Sequence, residues 1–219
     1  MKKFIVILAT LMAMMSCEKT LTVDFTDKKN EIENLEFTNT VTYNGKEYPI
    51  TKFRIDAEDD GYPYYGYDEP TFDIYCEAKH AISETIVGDY TSYYYEYEAA
   101  FIGGYIPTST LGKMINLNSK DARGVFGFGK SHVVEGHTGN AIIHNVDNTD
   151  EFTYGYVNGQ KGYFDENANL VNKATPKVVK YYIDIEHTYK EIYKVYIEFE
   201  DADSNKYVLS YKGEKKFKD

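Results

Sequence analysis

The chain has 219 residues, of which 35 are acidic and 24 basic, so its formal net charge is −11 at pH 7. A surface of this sign repels phosphate backbones, which excludes nucleic acid as a partner. The length suffices for one hydrophobic core, and the 23 tyrosines, 16 glycines and few long apolar runs are typical of a strand-rich domain.

The N-terminal segment has the pattern of a bacterial signal peptide. A basic start precedes the apolar run of residues 4–15, which is too short to span a bilayer as a stable helix. Ser16-Cys17 resembles the lipobox of bacterial lipoproteins, in which the peptide is cut before the cysteine and the cysteine carries a lipid. The alternative is an ordinary signal peptide with an incidental cysteine. We predict a signal peptide over residues 1–16 and lipidation at Cys17.

A lipid on Cys17 would hold the mature protein on a membrane surface outside the cytoplasm. We therefore predict a protein anchored in the cell outer membrane, with residues 17–36 as a tether and residues 37–219 as one all-β domain. Glu18-Lys19-Thr20 partly matches the acidic surface-export signal of such lipoproteins. This match favours surface exposure over a periplasmic location.

Two Asn-Gly pairs predict hairpins, because Asn-Gly readily adopts the positive φ angles of a type I′ turn. The first pair joins residues 38–43 to 46–50, and the second joins 152–157 to 160–164. After the first hairpin the apolar alternation shifts by one position, which indicates a bulge near Thr51-Lys52.

Alternation also predicts which side chains of the middle strands face the core. In residues 72–78 it places Cys76 on an apolar face, so this cysteine is predicted to be a core residue and not a nucleophile. In residues 91–101 one face is predicted to be core, and residues 103–112 are predicted as a loop. The predicted core face of residues 91–101 carries Tyr93, Tyr95, Tyr97, Ala99 and Phe101. Weaker strand candidates are 114–117, 124–128 and 141–146.

The C-terminal strands can be aligned by their charges. Residues 179–186 and 192–199 match best when Asp184 lies opposite Lys194, because opposite charges then meet on one side and apolar pairs on the other. A third strand over residues 206–212 completes a predicted antiparallel meander.

The whole pattern predicts an all-β fold. No helical pattern exceeds about three turns, so no parallel βαβ unit is expected. We predict a single antiparallel β-sandwich or β-barrel of roughly eight to ten strands.

The chain resembles lipoproteins of Bacteroidota. The resemblance rests on the Met-Lys-Lys start, the Asn44-Gly45-Lys46-Glu47-Tyr48 hairpin and the C-terminal Tyr211-Lys212-Gly213. It implies an envelope location and a lipocalin-type barrel or a sandwich, and it implies no particular activity.

Acidic clusters suggest metal sites. Ca²⁺ takes six to eight oxygens from a loop that can wrap the ion, and one acidic loop before Gly61 offers such oxygens; otherwise it is a solvated loop. The candidate Ca²⁺ ligands are Asp56, Glu58, Asp59 and Asp60. Residues 201–205 resemble the start of an EF-hand loop, but Lys206 and Lys212 stand where that pattern needs glycine and glutamate. We predict an acidic turn there.

The other motifs that could indicate a zinc site or a catalytic nucleophile are weak. The spacing of His132, Glu135 and His137 matches neither helical zinc signature. In a strand, Glu135 and His137 would share one face and His132 would lie on the other. No Gly-x-Ser-x-Gly elbow and no cysteine–histidine constellation is present, so the sequence gives no support for an enzyme or for a cofactor other than Ca²⁺.

An aromatic loop is the remaining candidate site. Proline and glycine make residues 62–67 rich in turns, so the rings cannot all be buried in a sheet. Exposed tyrosines beside carboxylates can stack on sugar faces or anchor a protein partner. The alternative is a lid over one end of the domain. The candidate ligand-binding residues are Tyr62, Tyr64, Tyr65 and Tyr67.

Three functions fit this sequence. The favoured one is a non-catalytic, lipid-anchored module that binds a glycan or a protein. The second is a lipocalin-like carrier of a small apolar ligand, which needs a closed barrel with an under-filled interior. The third is a hydrolase of extracellular polymer, which needs acid and base groups converging in one cleft.

Overall fold

The computed structural model describes residues 30–58, 69–87, 92–120 and 122–216. The chain divides into two units, residues 1–34 and Leu35–Asp219. The described part of the first unit is limited to residues 30–34, of which 30–33 form a single helical turn. Within the described ranges, no helix is long and apolar enough to cross a membrane.

The second unit is almost entirely β-structure. One short 3₁₀ helix (Thr108–Thr110) precedes β5. The strands are β1 (Thr40–Tyr43), β2 (Lys46–Glu58), β3 (Thr71–Val87), β4 (Ser92–Pro107), β5 (Met114–Asn116), β6 (Val125–Thr138), β7 (Ala141–Val157), β8 (Gln160–Phe164), β9 (Leu170–Val171), β10 (Val178–His187), β11 (Glu191–Glu200) and β12 (Lys206–Gly213).

These strands form one antiparallel sheet in the order β5-β10-β11-β12-β1-β2-β3-β4-β6-β7-β8-β9. The predicted all-β, antiparallel fold is confirmed. The described residues form 12 strands, more than the eight to ten predicted, because the very short β5 and β9 extend the sheet at its two ends. The sheet is open, since β5 and β9 do not pair with each other.

Local predictions in the hairpins are confirmed. Asn44 and Gly45 have φ angles of 47° and 82°, and Asn158 and Gly159 have 48° and 82°, as a type I′ turn requires. The register of β2 against β3 shifts between Ile50 and Lys52, where the bulge is predicted.

The C-terminal meander has the predicted register. Asp184 lies opposite Lys194 and Ile183 lies opposite Val195 in the β10–β11 pair, and β12 pairs with β11. The alternate side chains Tyr207, Leu209 and Tyr211 of β12 are buried. A slip of one residue would turn the whole apolar set towards solvent.

The sheet bends at β2, which pairs with one strand in each half of the fold. Residues 46–49 pair with β1, and after the bulge Lys52–Glu58 pair with β3. The half built on β10–β12 thereby faces the half built on β3–β8 across an aromatic core. In that core the Phe199 ring centroid of β11 lies 4.5 Å from Phe128 of β6 and 4.7 Å from Phe152 of β7.

The inner face of the sheet is defined by the side chains that enter this core. On β3 these include the fully buried Ile74 and Cys76, as predicted. On β4 the prediction is wrong: the core residues are Ala100, Ile102 and Ile106, each with 0% exposure. The predicted set from Tyr93 to Phe101 lies on the outer face, where Ala99 is buried and Tyr93 is 43% exposed.

Several strands are longer than predicted. β4 runs through the predicted loop at residues 103–112 as far as Pro107, and the two strands predicted over 141–146 and 152–157 form the single β7. The distal parts of β3, β4, β6 and β7 therefore project beyond the core. We call this four-stranded projection the wing; it comprises residues 81–87, 92–98, 132–138 and 141–147.

Candidate functional site

A row of five residues crosses the outer face of the sheet and contains two adjacent glycines. Strand pairing places Arg54, Tyr75, Gly103, Gly127 and Thr153 side by side on β2, β3, β4, β6 and β7. Because two neighbouring positions carry no side chain, the row forms a trough whose floor is backbone. We call this trough, with the side chains along its rim, the outer groove.

Aromatic side chains form both rims of the outer groove. Tyr105 and Asp73 come from the next row of paired residues, and Phe101 comes from the row on the other side. The Phe101 ring lies over Gly129, so close that a Cβ there would be 1.9 Å from the ring. This glycine lets Phe101 lie flat along the sheet, and the groove has a volume of about 290 Å³.

An ion pair supplies the polar end of the outer groove. Arg54 Nη2 donates to Asp73 Oδ2 at 2.8 Å, and Arg54 Nε lies 3.4 Å from Asp56 Oδ2. Burial raises the pKa of the Asp73 carboxyl, and the Arg54 guanidinium opposes that rise. Burial also raises the pKa of Tyr75 to about 12, so its hydroxyl stays protonated and donates to Glu77 at 3.2 Å.

This arrangement suits recognition of a flat ligand that has both apolar and hydroxylated faces. Half-buried rings of Tyr75, Phe101 and Tyr105 offer apolar surface. Arg54 and Asp73 offer charged hydrogen-bonding groups, which bind more strongly than neutral ones. A pocket that is mostly apolar with a few fixed polar groups is the usual form of a small-molecule site.

Most of the residues predicted as sites lie outside the described residues. This holds for Cys17, for the tyrosines Tyr62, Tyr64, Tyr65 and Tyr67, and for Asp59 and Asp60. Asp56 and Glu58 lie at the end of β2. Asp56 Oδ1 accepts from Lys215 Nζ at 2.7 Å, and in the described part of the chain no three histidine, cysteine, aspartate or glutamate side chains converge as metal ligands would.

The histidines of the wing are separated as the strand pattern predicts. Glu135 and His137 lie on the outer face, and His132 lies on the inner face. His132 Nε2 is 2.9 Å from Glu96 Oε1, while Glu135 Oε1 is 3.6 Å from His144 Nδ1. These residues form separate pairs and no common site.

The acidic segment between β11 and β12 is a turn, as predicted. Asp201 Oδ1 accepts from the Asn205 backbone N–H at 2.8 Å, and Asp201 Oδ2 accepts from Asn205 Nδ2 at 2.9 Å. The carboxylate oxygens are thus used inside the turn, and Asp201 is buried.

Glu98, at the base of the wing on the inner face, makes stability depend on pH. Its hydrogen bond from Lys46, together with Lys130 at 3.4 Å and the Tyr48 hydroxyl at 3.1 Å, lowers the pKa of Glu98 from 4.5 to about 2. A lowered pKa stabilises the folded state fully above the unfolded-state pKa, and this contribution is lost as pH falls through the folded-state pKa.

We therefore expect the free energy of unfolding to decrease between about pH 5 and pH 2, and Glu98→Gln to make this decrease shallower. Urea denaturation followed by circular dichroism at a series of pH values measures it. Lys46→Met removes the main hydrogen-bond donor to Glu98, and it should make the decrease in the free energy of unfolding over the same pH range shallower as well. An unchanged pH profile in both variants would contradict this role of Glu98.

The sequence analysis did not predict the outer groove, although glycines within the strands are an indication of it. Gly103-Gly104 and Gly127 interrupt otherwise apolar strands, and glycine within a strand marks close backbone approach or an open position. The glycines define a groove only when β4 and β6 pair in the observed register, which brings Gly103 opposite Gly127.

Comparisons of the chain with protein-family models, with curated proteins and with solved structures found no match. The outer groove and the sequence are therefore the grounds on which a function can be assigned.

Proposed function

We propose that this protein is a lipid-anchored, non-catalytic binding module of the bacterial outer envelope that holds a glycan in the outer groove. The observation that carries the proposal is the pairing of Gly103 with Gly127 between aromatic rims and the Arg54–Asp73 pair. Sugar rings present C–H faces that pack on aromatic rings, and their hydroxyls bond to charged groups.

The predicted anchor at Cys17 supports an envelope role. A module held on a membrane surface meets polymeric ligands that are present there, and an open trough accepts a chain of sugars better than an enclosed cavity does. β2 ends at Glu58 and β3 begins at Thr71, at the end of the sheet nearest the Asp73–Tyr105 rim. The loop that carries the predicted ligand-binding tyrosines connects these two strands.

The interior gives less support to a carrier of apolar ligands. A carrier needs an under-filled interior, whereas the Phe128 ring lies 4.5 Å from Phe199 and 5.7 Å from Tyr207. The bend at β2 and the two faces packed across these rings support a β-sandwich over a closed barrel. The groove lies on the face of the sheet that points away from this core.

The test of this proposal is a valine that fills the groove. A Cβ on Gly127 would meet its nearest atom, Thr153 Oγ1, at 3.5 Å, an ordinary contact distance, so the Cβ of Gly127→Val fits without displacing backbone. We expect Gly127→Val to weaken binding to an array of bacterial and host polysaccharides by at least about tenfold, or 1.4 kcal/mol.

The matched control is Thr138→Val, which places the same side chain on the same strand at the exposed tip of the wing. Binding of Thr138→Val should equal that of the unaltered protein. Equal binding by Gly127→Val and the unaltered protein, with both folded, would refute the groove as the glycan site.

A further inference from the structure

Among the residues that the structure describes, none pairs with the β7 edge of the wing. β7 pairs with β8 only over residues 153–157, and the preceding residues pair with β6 alone among the described residues. In an antiparallel strand, alternate residues turn their backbone N–H and C=O groups towards the free side. Such an edge is a template for another strand.

This edge exposes three large apolar side chains. Every residue from 141 to 149 is exposed, with Ile142 at 81%, Ile143 at 37% and Val146 at 44%. In a chain with 35 acidic residues, the segment from residue 141 to 146 contains none. Residues 141–146 therefore add no carboxylate that would repel a second chain of the same negative charge.

The opposite edge of the wing is less suited to pairing. There β3 carries a register shift between Ala81 and Ser83, and a bulge interrupts the regular row of backbone groups that an added strand requires. Glu84 adds a charge to that edge. The β7 edge has no register shift between its residues 141 and 149.

We propose that the β7 edge of the wing pairs antiparallel with the same edge of a second copy of this chain. The segment is self-complementary about His144: when His144 lies opposite itself, Ile142 of each copy lies opposite Val146 of the other. Cross-strand apolar pairs of this kind stabilise antiparallel strands. Centring the pair on Asn145 instead would place Ile143 opposite Asp147 and lose the match.

The proposed register brings the two copies of His144 together, each beside a carboxylate of its own chain. Glu135 Oε1 lies 3.6 Å from His144 Nδ1 in each copy. The central row of the joined sheet then reads Glu135, His144, His144, Glu135, so two imidazoles lie between two carboxylates. The paired segment is short, and an interface well below about 800 Å² per partner gives a weak, reversible dimer.

Cysteine crosslinking tests the pairing in cells that produce the full chain. Residues directly opposite in an antiparallel pair have Cα atoms about 4.5–5.5 Å apart, within disulfide range. His144→Cys should therefore form a disulfide-linked dimer on oxidation, seen on a non-reducing gel. The unaltered chain, which keeps Cys17 and the buried Cys76, sets the background.

Two further cysteine variants serve as controls. Ile86→Cys lies in the same cross-strand row as Ile142, at the β3 edge, and should stay at background. In the proposed register Asn145 of one copy does not lie opposite Asn145 of the other. Asn145→Cys should therefore crosslink at least tenfold less than His144→Cys. In the His144→Cys chain, Ile142→Lys should lower the dimer yield at least tenfold, and Ile86→Lys should not.

Three results would overturn the proposal. These are the absence of a His144→Cys dimer above background, equal crosslinking by Ile86→Cys, and an adduct of His144→Cys with a different protein in place of the dimer. The last result would assign the β7 edge to a strand of another partner.

Discussion

Replacing Phe199 with alanine should lower the free energy of unfolding by about 4 kcal/mol, the largest effect that we expect from a single substitution in this protein. Phe199 is fully buried, and its ring lies between the two halves of the bent sheet, against Phe128 and Phe152. Truncation leaves a cavity that both halves line, and neither half can close it without moving its backbone.

Urea denaturation followed by circular dichroism measures this change, because the chain has no tryptophan. Tyr189→Ala is the matched control, since Tyr189 is 94% exposed and its loss should cost less than about 0.5 kcal/mol. A loss below about 1 kcal/mol for Phe199→Ala would mean that the two halves do not share one core.

Gly155→Ala should cost about 3 kcal/mol, although it adds only one methyl group. A Cβ at this position would be 2.2 Å from the Gly124 carbonyl oxygen and 2.5 Å from the Val125 Cα. Gly104 approaches the same stretch of β6 from the other side, with a Cβ 2.2 Å from the Val125 oxygen. The start of β6 is thus held between two glycines, and a methyl group must displace backbone.

Gly127→Ala is the control for Gly155→Ala, since it makes the same change in the neighbouring strand. Its Cβ meets no atom closer than 3.5 Å, and we expect stability to rise by about 0.5 kcal/mol because glycine in a strand carries an entropic cost. Denaturation curves of the two variants give the comparison. Equal stability of the two variants would contradict the close approach at Val125.

Features set by neighbouring residues could be predicted from the sequence. The Asn-Gly turns follow from the φ angles those residues adopt. The register of β10 against β11 follows from Asp184 and Lys194 on one face and Ile183 and Val195 on the other. In both cases the partners are close in the chain, so few alternative pairings compete.

The orientation of β4 could not be predicted in the same way. Alternation shows that Tyr97 and Phe101 share a face, but it does not show which face enters the core. Tyrosine suits a half-buried surface as well as a core. The inner face of β4 includes the small residues Ala100 and Gly104, which are typical of a loop or a weak strand and do not indicate a core face.

The outer groove and the wing depend on pairing between distant segments. The trough exists because β6 places Gly127 opposite Gly103, and no local pattern specifies that register. Residues 147–151 are polar, so the sequence predicts a break between the strands at 141–146 and 152–157. In the wing both faces of β7 are solvated, so apolar alternation is not required there and the strand continues.

The most direct test of the central claim is a two-dimensional NMR titration of the labelled full chain with the oligosaccharide that binds best on the polysaccharide array. If the outer groove holds the glycan, the largest amide shifts will fall on the row from Tyr75 through Gly103 and Gly127 to Thr153, and Gly127→Val will abolish them. Shifts confined to the wing, or shifts that persist in Gly127→Val, would contradict the claim.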